Sequence, residues 1–303
     1  MMSAVRPFVE AMRPKQWIKN LIVFAPIAFA QKLFDPRMIA AAALAFVAFC
    51  LASSGVYVVN DIMDREADRH HPEKKERPIA SGRLSVGAAW ALAGILFAVA
   101  LGLGSRLSMT VMLIVAAYFA LNLAYSFRLK HWVIIDAFCI AFGFILRMVA
   151  GGEALKSIEP GITISTWIIL CTLLGSLFLA FCKRRNELGL MEDDAANHRA
   201  SLSEYSTQFL DQMIGISTAS TVMAYALWTI WPETVSKFHT QRLFWTVPFV
   251  CYGIFRYLYL VHQKNLGGSP SKIFLSDYPL IANIVAWILA VIVILYGPRL
   301  GWQ

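Results

Sequence analysis

Long apolar runs limit what this chain can fold into more than any other feature of its sequence. Each of nine runs is about as long as the roughly 20 residues that a helix needs to cross a bilayer core. The runs lie at residues 18–34, 38–60, 87–104, 108–127, 132–152, 162–182, 210–231, 241–261 and 279–297. Only 15% of the residues are charged and 58% are hydrophobic, whereas a typical soluble domain has about 25% charged residues. The pattern predicts an all-α protein with nine transmembrane helices in a single membrane domain over residues 1–303, and it excludes an ordinary soluble enzyme.

Two of these runs contain a proline in their interior. Pro26 lies in the first run and Pro248 in the eighth. Because proline removes a backbone donor from a helix, we expect both helices to be kinked.

The basic residues indicate how the chain is oriented in the membrane. With the N-terminus in the cytoplasm, eighteen Lys and Arg residues fall in cytoplasmic segments and seven in outside segments. Cytoplasmic loops are enriched in Lys and Arg, so we expect the N-terminus inside and the C-terminus outside a plasma (inner) membrane. In a membrane protein, the net charge of +8 indicates anionic lipids or phosphorylated substrates and not nucleic acid.

Two long cytoplasmic segments, 61–86 and 183–209, are where we expect the chemistry to take place, and the first begins with a group of acidic residues. If the second helix continues through this stretch at about 100° per residue, Asn60, Asp64 and Asp68 share one face with Asp61. Carboxylates at these spacings repel one another, and oxygen ligands of this kind suit Mg²⁺, which also binds substrate phosphates. The spacing therefore predicts a magnesium site. The alternative is a solvated acidic helix end that nearby basic residues neutralise.

Basic residues follow the acidic group and also open the second cytoplasmic segment. Arg77 begins the sequence R-P-I-A-S-G at 77–82, and Lys183, Arg184 and Glu187 lie on one polar arc of a helix. Basic side chains beside an acidic metal site suit a diphosphate clamp, with the metal on one side and Lys or Arg on the other. The alternative reading of the first loop is a basic cytoplasmic loop with a turn.

Two ionisable residues lie in the fifth run, where charged groups are costly and usually functional. Asp136 is near its cytoplasmic start, and Arg147 is about two-thirds of the way across. We expect Arg147 to face the helix bundle and to pair with Glu153 or with a carboxylate on another helix. A structural pair and a substrate-binding role are both open.

The motif N-D-x-x-D-x-x-x-D at 60–68, after the second span, together with R-P-I-A-S-G at 77–82, resembles the UbiA superfamily of intramembrane prenyltransferases. The resemblance implies an all-helical bundle around a central cavity that opens to the cytoplasm, and Mg²⁺-dependent cleavage of a diphosphate. Ordinary members carry a second aspartate-rich motif after the sixth span, whereas this chain has K-R-R-N-E at 183–187. A basic second motif suits a more anionic donor.

A narrower resemblance covers nearly the whole chain. It rests on M-R-P-K-Q-W-I-K-N at 12–20, K-R-R-N-E-L at 183–188, R-Y at 256–257 and G-G-S-P at 267–270. These motifs look like those of the decaprenyl-phosphate phosphoribosyltransferase family. Its members transfer 5-phosphoribosyl from phosphoribosyl diphosphate (PRPP) to a polyprenyl phosphate and release pyrophosphate, in the synthesis of cell-wall arabinan precursors.

The resemblance implies roles for individual residues. Asn60, Asp64 and Asp68 would bind Mg²⁺, and Asp61, Asp64 and Asp68 would be the catalytic carboxylates. The expected substrate-binding residues are Lys15, Lys19, Arg77, Tyr125, Lys130, Lys183, Arg184 and Glu187. The expected partners are PRPP, a polyprenyl phosphate lipid and the membrane, and the sequence leaves a homo-oligomer open.

Two other functions stay open at this point. A prenyltransferase of the same fold would move a prenyl group from a prenyl diphosphate to an aromatic acceptor, although the basic second motif argues against this. A transporter, which is not an enzyme, would place its polar residues near the bilayer midplane, whereas here they gather at one face.

Overall fold

The computed structural model describes residues 2–72, 74–189, 204–264, 266–268 and 270–297. Much of the predicted second cytoplasmic segment, 190–203, lies outside the described residues. The α-helices are α1 Met2–Met12, α2 Ala25–Phe29, α3 Pro36–Met63, α4 Arg65–His70, α5 Val86–Leu107, α6 Met109–Phe127, α7 Ile135–Lys156, α8 Thr166–Gly189, α9 Thr207–Ile230, α10 Pro232–Phe238, α11 Val247–Lys264, α12 Pro270–Ser276 and α13 Tyr278–Tyr296. 3₁₀-helices lie at Pro14–Phe24, Lys74–Glu76, Leu129–His131 and Arg242–Thr246.

Eight helical segments in the described part of the chain are long and apolar enough to cross a membrane. They are α3, α5, α6, α7, α8, α9, the segment Arg242–Lys264 that contains α11, and α13. Each overlaps one of the predicted apolar runs. The predicted number of nine spans is not confirmed, because the first run is not among these helices.

The first predicted run is divided between a 3₁₀-helix, Pro14–Phe24, and the five-residue helix α2. An eleven-residue 3₁₀-helix is unusually long, since runs of this geometry seldom exceed three or four residues. It begins after Arg13, whose backbone is left-handed with φ 53°, so α1 cannot simply continue. The indole Nε1 of Trp17 donates to Ser54 Oγ at 3.0 Å, which holds this segment against α3.

The structure corrects two further expectations about the spans. Pro26 and Pro248 do not kink helices from within, since each is the second residue of an α-helix that follows a 3₁₀-helix. Proline fits there because the first backbone N–H groups of a helix lack an intrahelical partner. Helix α8 extends past the apolar run that ends at 182 as far as Gly189, so the basic motif at 183–187 is helical, as its predicted polar arc requires.

The chain forms two compact units, the first of which comprises the residues up to Lys130 together with Gly143–Ile164. Small residues of α3, including Ala45 and Ala52, are completely buried and let neighbouring helices approach closely. Phe49 of α3 packs edge-on against Tyr118 of α6, with ring centroids 5.3 Å apart. This packing holds α3 in place within the unit, and the acidic residues lie at the end of this helix.

The second unit comprises His131–Phe142 and the residues from Ser165 onward. Phe178 and Phe181 of α8 are buried with Leu210 of α9 and with Tyr257 of α11. The loop after α11 lies against the end of α8, because a Cβ atom at Gly267 would be only 2.8 Å from the Cβ atom of Asn186. This contact fixes the helix end that carries the basic motif.

Candidate functional site

The acidic motif lies where α3 meets α4, and it is not one continuous helix as predicted. Helix α3 ends at Met63, and Asp64 has φ −88° and ψ 7° before α4 begins. Backbone hydrogen bonds of helical spacing still cross the break, from Asp64 N to Asn60 O and from Asp68 N to Asp64 O, both at 2.8 Å. On either side of this break Asp61 and Asp68 are buried, whereas the side chain of Asp64 is not.

Arg77 brings the two buried carboxylates together. Its Nη1 lies 2.6 Å from Asp68 Oδ2 and 3.1 Å from Asp61 Oδ1. The guanidinium of Arg13 binds the same Oδ1 of Asp61 and stacks over the ring of Tyr57 at 5.2 Å. The predicted closeness of Arg77 to the acidic residues is therefore present, and Arg13 is a neighbour that the sequence did not indicate.

Asp64 and Asn60 have separate neighbours on the same unit. The side chain of Asp64 is 42% exposed, and Lys130 Nζ lies 3.4 Å from its Oδ1. The Oδ1 atom of Asn60 accepts a hydrogen bond of 2.5 Å from Ser126 Oγ on α6. Tyr125, the residue before Ser126, is half-buried. Three of the predicted residues, Asn60, Asp64 and Lys130, therefore meet at this end of the unit.

The other predicted basic residues of this unit lie on the first 3₁₀-helix. Lys15 is exposed and Lys19 is half-buried. Asn20, which follows, is fully buried and donates to Ser53 Oγ of α3 at 3.2 Å.

The carboxylates do not form a preassembled cage. No group of three or more His, Cys, Asp and Glu side chains that could hold a metal ion occurs among the described residues. Mg²⁺, however, is commonly bound by one or two carboxylates and completes its coordination with waters and substrate phosphates. Asp64 and Asp68 with the amide oxygen of Asn60 fit that donor set.

The basic motif of the second unit is a chain of ion pairs at the end of α8. Arg184 is fully buried, and its Nε lies 2.5 Å from Oδ2 of the equally buried Asp136. Its Nη1 binds Glu187 Oε2, and Lys183 Nζ lies 3.5 Å from the other oxygen of Glu187. Arg184 therefore lies in the protein interior, and Lys183 lies at the partly exposed end of this series of ion pairs.

Arg147 lies in the protein interior as expected, but its partners differ from the predicted ones. It is 5% exposed, and its guanidinium donates to Asn20 Oδ1 at 2.6 Å, to Gly143 O at 2.7 Å and to the hydroxyl of Tyr118 at 2.7 Å. These partners are neutral, whereas Glu153 binds Lys156 at 2.7 Å. The predicted pairing with Glu153 is wrong because Lys156 is one helical turn away on the same helix.

Comparison with known proteins identifies the family. The model of the UbiA prenyltransferase family matches residues 21–278. The chain belongs to the UbiA family. The all-helical fold of the described residues and the acidic motif at the end of α3 agree with this membership.

Two UbiA relatives match nearly the whole chain. The decaprenyl-phosphate phosphoribosyltransferase of Corynebacterium glutamicum is 39% identical over 95% of this chain and 86% of its own length. The enzyme of the same name from Mycolicibacterium smegmatis is 37% identical over 94% of this chain and 91% of its own. Among solved structures, a UbiA homologue from Archaeoglobus fulgidus bound to GPP and Mg²⁺ has a TM-score of 0.71, with 16% identity, covering 95% of this chain and 99% of that one. The structural likeness shows the fold alone.

Proposed function

We propose that this protein transfers the 5-phosphoribosyl group of PRPP to a polyprenyl phosphate, decaprenyl phosphate, and releases pyrophosphate. The observation that carries the proposal is the 39% identity to a decaprenyl-phosphate phosphoribosyltransferase over 95% of the chain. The basic end of α8 supports it, because a donor with a 5-phosphate and a diphosphate brings more negative charge than a prenyl diphosphate does. We further assign the product to the synthesis of cell-wall arabinan precursors.

The acidic motif would hold the diphosphate through a metal ion. Asn60, Asp64 and Asp68 are the residues that would bind Mg²⁺, and the ion, when bound, would neutralise charge on the departing diphosphate. Arg77 is hydrogen-bonded to Asp68 and Asp61, so it is held beside the site as a second source of positive charge. Asp61, which binds Arg13 and Arg77, then orients these arginines.

The transfer itself needs little acid–base chemistry. The bond from ribose C1 to the diphosphate oxygen breaks, and its electron pair leaves with pyrophosphate. A phosphate oxygen of the lipid attacks C1 from the opposite face, which inverts the configuration at that carbon. Because this oxygen already carries negative charge at pH 7, catalysis consists of positioning and charge stabilisation.

The remaining basic and polar residues would bind phosphate groups. Lys183 is the residue of the basic motif that we assign to direct contact with PRPP. We assign the same kind of contact to further residues of the two units: Lys15, Lys19, Tyr125 and Lys130. Arg184 and Glu187 form an ion pair within the basic motif. Their charges offset each other beside Lys183.

We also propose that both polar ends face the cytoplasm at the plasma membrane, with the N-terminus inside and the C-terminus outside. The eighteen Lys and Arg residues of the segments on that side, against seven on the other, support this orientation.

An assay with defined substrates tests the function. The purified protein in lipid nanodiscs is incubated with Mg²⁺, PRPP and decaprenyl phosphate, and the lipid product is identified by its mass. We expect decaprenylphosphoryl-5-phosphoribose and one pyrophosphate for each product formed. A protein that instead consumes a prenyl diphosphate with 4-hydroxybenzoate, and leaves PRPP intact, would be an aromatic prenyltransferase, as the name of its family suggests.

A further inference from the structure

The buried carboxylate at the start of α7 is not used by the mechanism above. Asp136 is fully buried, although an ionised group in such a place is costly unless it is paired. Both of its oxygens are engaged: Oδ2 binds Arg184 Nε at 2.5 Å, and Oδ1 accepts from the hydroxyl of Tyr205 at 2.9 Å. The residue is therefore built into a specific charge network.

Tyr205 fixes this carboxylate from the other side. Its hydroxyl oxygen accepts a hydrogen bond of 2.6 Å from the backbone N–H of Ile134 while its proton goes to Asp136. Burial raises the pKa of the Tyr205 hydroxyl, so the group stays a donor at physiological pH. Asp136 is thus held in one orientation relative to the start of α7.

The network continues outward through Arg184 to the residue that we assign to the substrate. Arg184 binds one oxygen of Glu187, and Lys183 lies 3.5 Å from the other. The exposed fraction of the side chains rises along this series of ion pairs, from 0% at Asp136 and Arg184 to 27% at Glu187 and 34% at Lys183. Two acidic and two basic groups alternate along this series. Removal of one inner charge therefore changes which ion pairs the remaining groups form.

The geometry points to Asp136 as a positioning residue for PRPP binding, acting through Arg184 and Glu187 on Lys183, with Tyr205 as its support. Asp136 balances the charge of Arg184, which leaves an oxygen of Glu187 to orient Lys183. Without the charge of Asp136, Glu187 becomes the main counter-ion of Arg184 and is drawn away from Lys183. This inference rests on the proposed function, in which Lys183 contacts PRPP.

A double-mutant cycle tests the inference on the full-length protein in nanodiscs. Asp136→Asn keeps the shape of the side chain and removes its charge. We expect the KM for PRPP to rise about tenfold with kcat changed much less, since linked groups couple by amounts of this order. In the double variant Asp136→Asn/Lys183→Gln, the KM should be no higher than in Lys183→Gln alone, because Asp136 acts through Lys183.

A neighbouring ion pair provides the matched control. Asp211 lies 3.1 Å from Arg185, the residue after Arg184, but its side chain is 42% exposed. Asp211→Asn therefore removes a carboxylate from the adjacent arginine without touching the buried network, and its KM for PRPP should equal that of the wild type.

Tyr205→Phe covers the case in which Asp136→Asn does not fold. It keeps both charges and removes one hydrogen bond to the carboxylate, so we expect a KM increase of about threefold that again disappears in the Lys183→Gln background. Additive effects in either cycle, or an unchanged KM in a folded variant, would overturn the inference. A wild-type protein that does not turn over PRPP would contradict the proposed function itself.

Discussion

At the scale of residues, Asp64 and Asp68 are the two carboxylates that we assign to the metal ion, and they differ from each other in exposure and in partners. Asp68 is buried against Arg77, and Asp64 is partly exposed beside Lys130. We expect Asp64→Asn and Asp68→Asn each to lower Mg²⁺-dependent transfer by more than about 100-fold, because each removes a charged oxygen ligand. Titration of activity against Mg²⁺ concentration measures the effect.

The short helix α4 offers a control for this prediction. Glu66 lies between the two aspartates, but its side chain is 71% exposed and its partners are Arg69 and Arg65. Glu66→Gln should retain wild-type activity and Mg²⁺ dependence. Full activity in either aspartate variant would contradict the assignment of the metal ligands.

Residue types and spacing within one segment could be predicted from the sequence, whereas partners from distant segments could not. The four-residue spacing from Asn60 to Asp68 indicated the acidic group, and Arg77 lies nine residues beyond. Arg13 is 48 residues from Asp61, and Tyr205 is 69 residues from Asp136. A single sequence does not indicate which distant side chains packing brings together.

At the scale of elements, the contact of α7 with the first 3₁₀-helix depends on Gly151. A Cβ atom at this position would lie 2.0 Å from the carbonyl oxygen of Val23, and neither backbone can yield cheaply. We expect Gly151→Ala to destabilise the protein by about 1–3 kcal/mol or more, as measured by thermal unfolding in detergent.

Gly94→Ala on α5 is the control, because its Cβ would meet nothing within 4 Å. Gly94→Ala should be neutral or stabilising by about 0.5–1 kcal/mol, and equal stability of the two variants would contradict the packing argument.

The start of α13 depends on Asp277 in two ways. Its Oδ1 accepts from the backbone N–H of Leu280 at 2.9 Å, and its two oxygens pair with Arg256 at 3.1 and 2.8 Å. Asp277→Asn keeps the helix cap and removes the charge, whereas Asp277→Ala removes both. We therefore expect Asp277→Ala to unfold at a lower temperature than Asp277→Asn, by a cap contribution of about 1 kcal/mol.

The pH dependence of stability distinguishes the contribution of the Asp277 charge from that of its helix cap. Hydrogen bonding to Arg256 lowers the pKa of Asp277 below the ordinary value of an aspartate side chain. The carboxylate thus stabilises the fold above the unfolded-state pKa, and this stabilisation is lost as the pH falls through the folded-state pKa. The stability difference between the wild type and Asp277→Asn should be constant near pH 7 and shrink below about pH 4. A difference that does not change with pH would exclude the ion pair as its source.

The sequence predicted eight of the long helices because mean hydropathy and length suffice to identify them. It did not predict the 3₁₀-helix at Pro14–Phe24, since that geometry depends on tertiary partners. Asn20 in this segment is buried and binds Arg147 of α7 at 2.6 Å, which also explains why Arg147 needs no carboxylate. Tertiary contacts determine the local conformation here, and such contacts are visible only in the folded structure.

At the scale of the whole molecule, the first segment decides the topology. An even number of spans returns a chain to the side of the membrane from which it started. With eight spans from α3 onward, the C-terminus is on the side of the membrane where α3 begins. The N-terminus is then on the opposite side only if the first segment also crosses the membrane. Its eleven 3₁₀ residues at about 2.0 Å each and five α-helical residues at about 1.5 Å each reach about 30 Å. This length matches the hydrocarbon core of a bilayer, so we propose that the 3₁₀ geometry lets this short segment form a ninth crossing.

Cysteine labelling tests this crossing in a variant that lacks the five native cysteines. Arg37→Cys, at the exposed start of α3, should react with an impermeant reagent in intact cells, whereas Lys75→Cys, exposed in the first polar loop, should react only after permeabilisation. An N-terminal tag should be accessible under the same conditions as Lys75→Cys, because both lie in the cytoplasm if the first segment crosses. A tag that is accessible from the side of Arg37→Cys would mean that the first segment does not cross, and the protein would then have eight spans with both termini on one side.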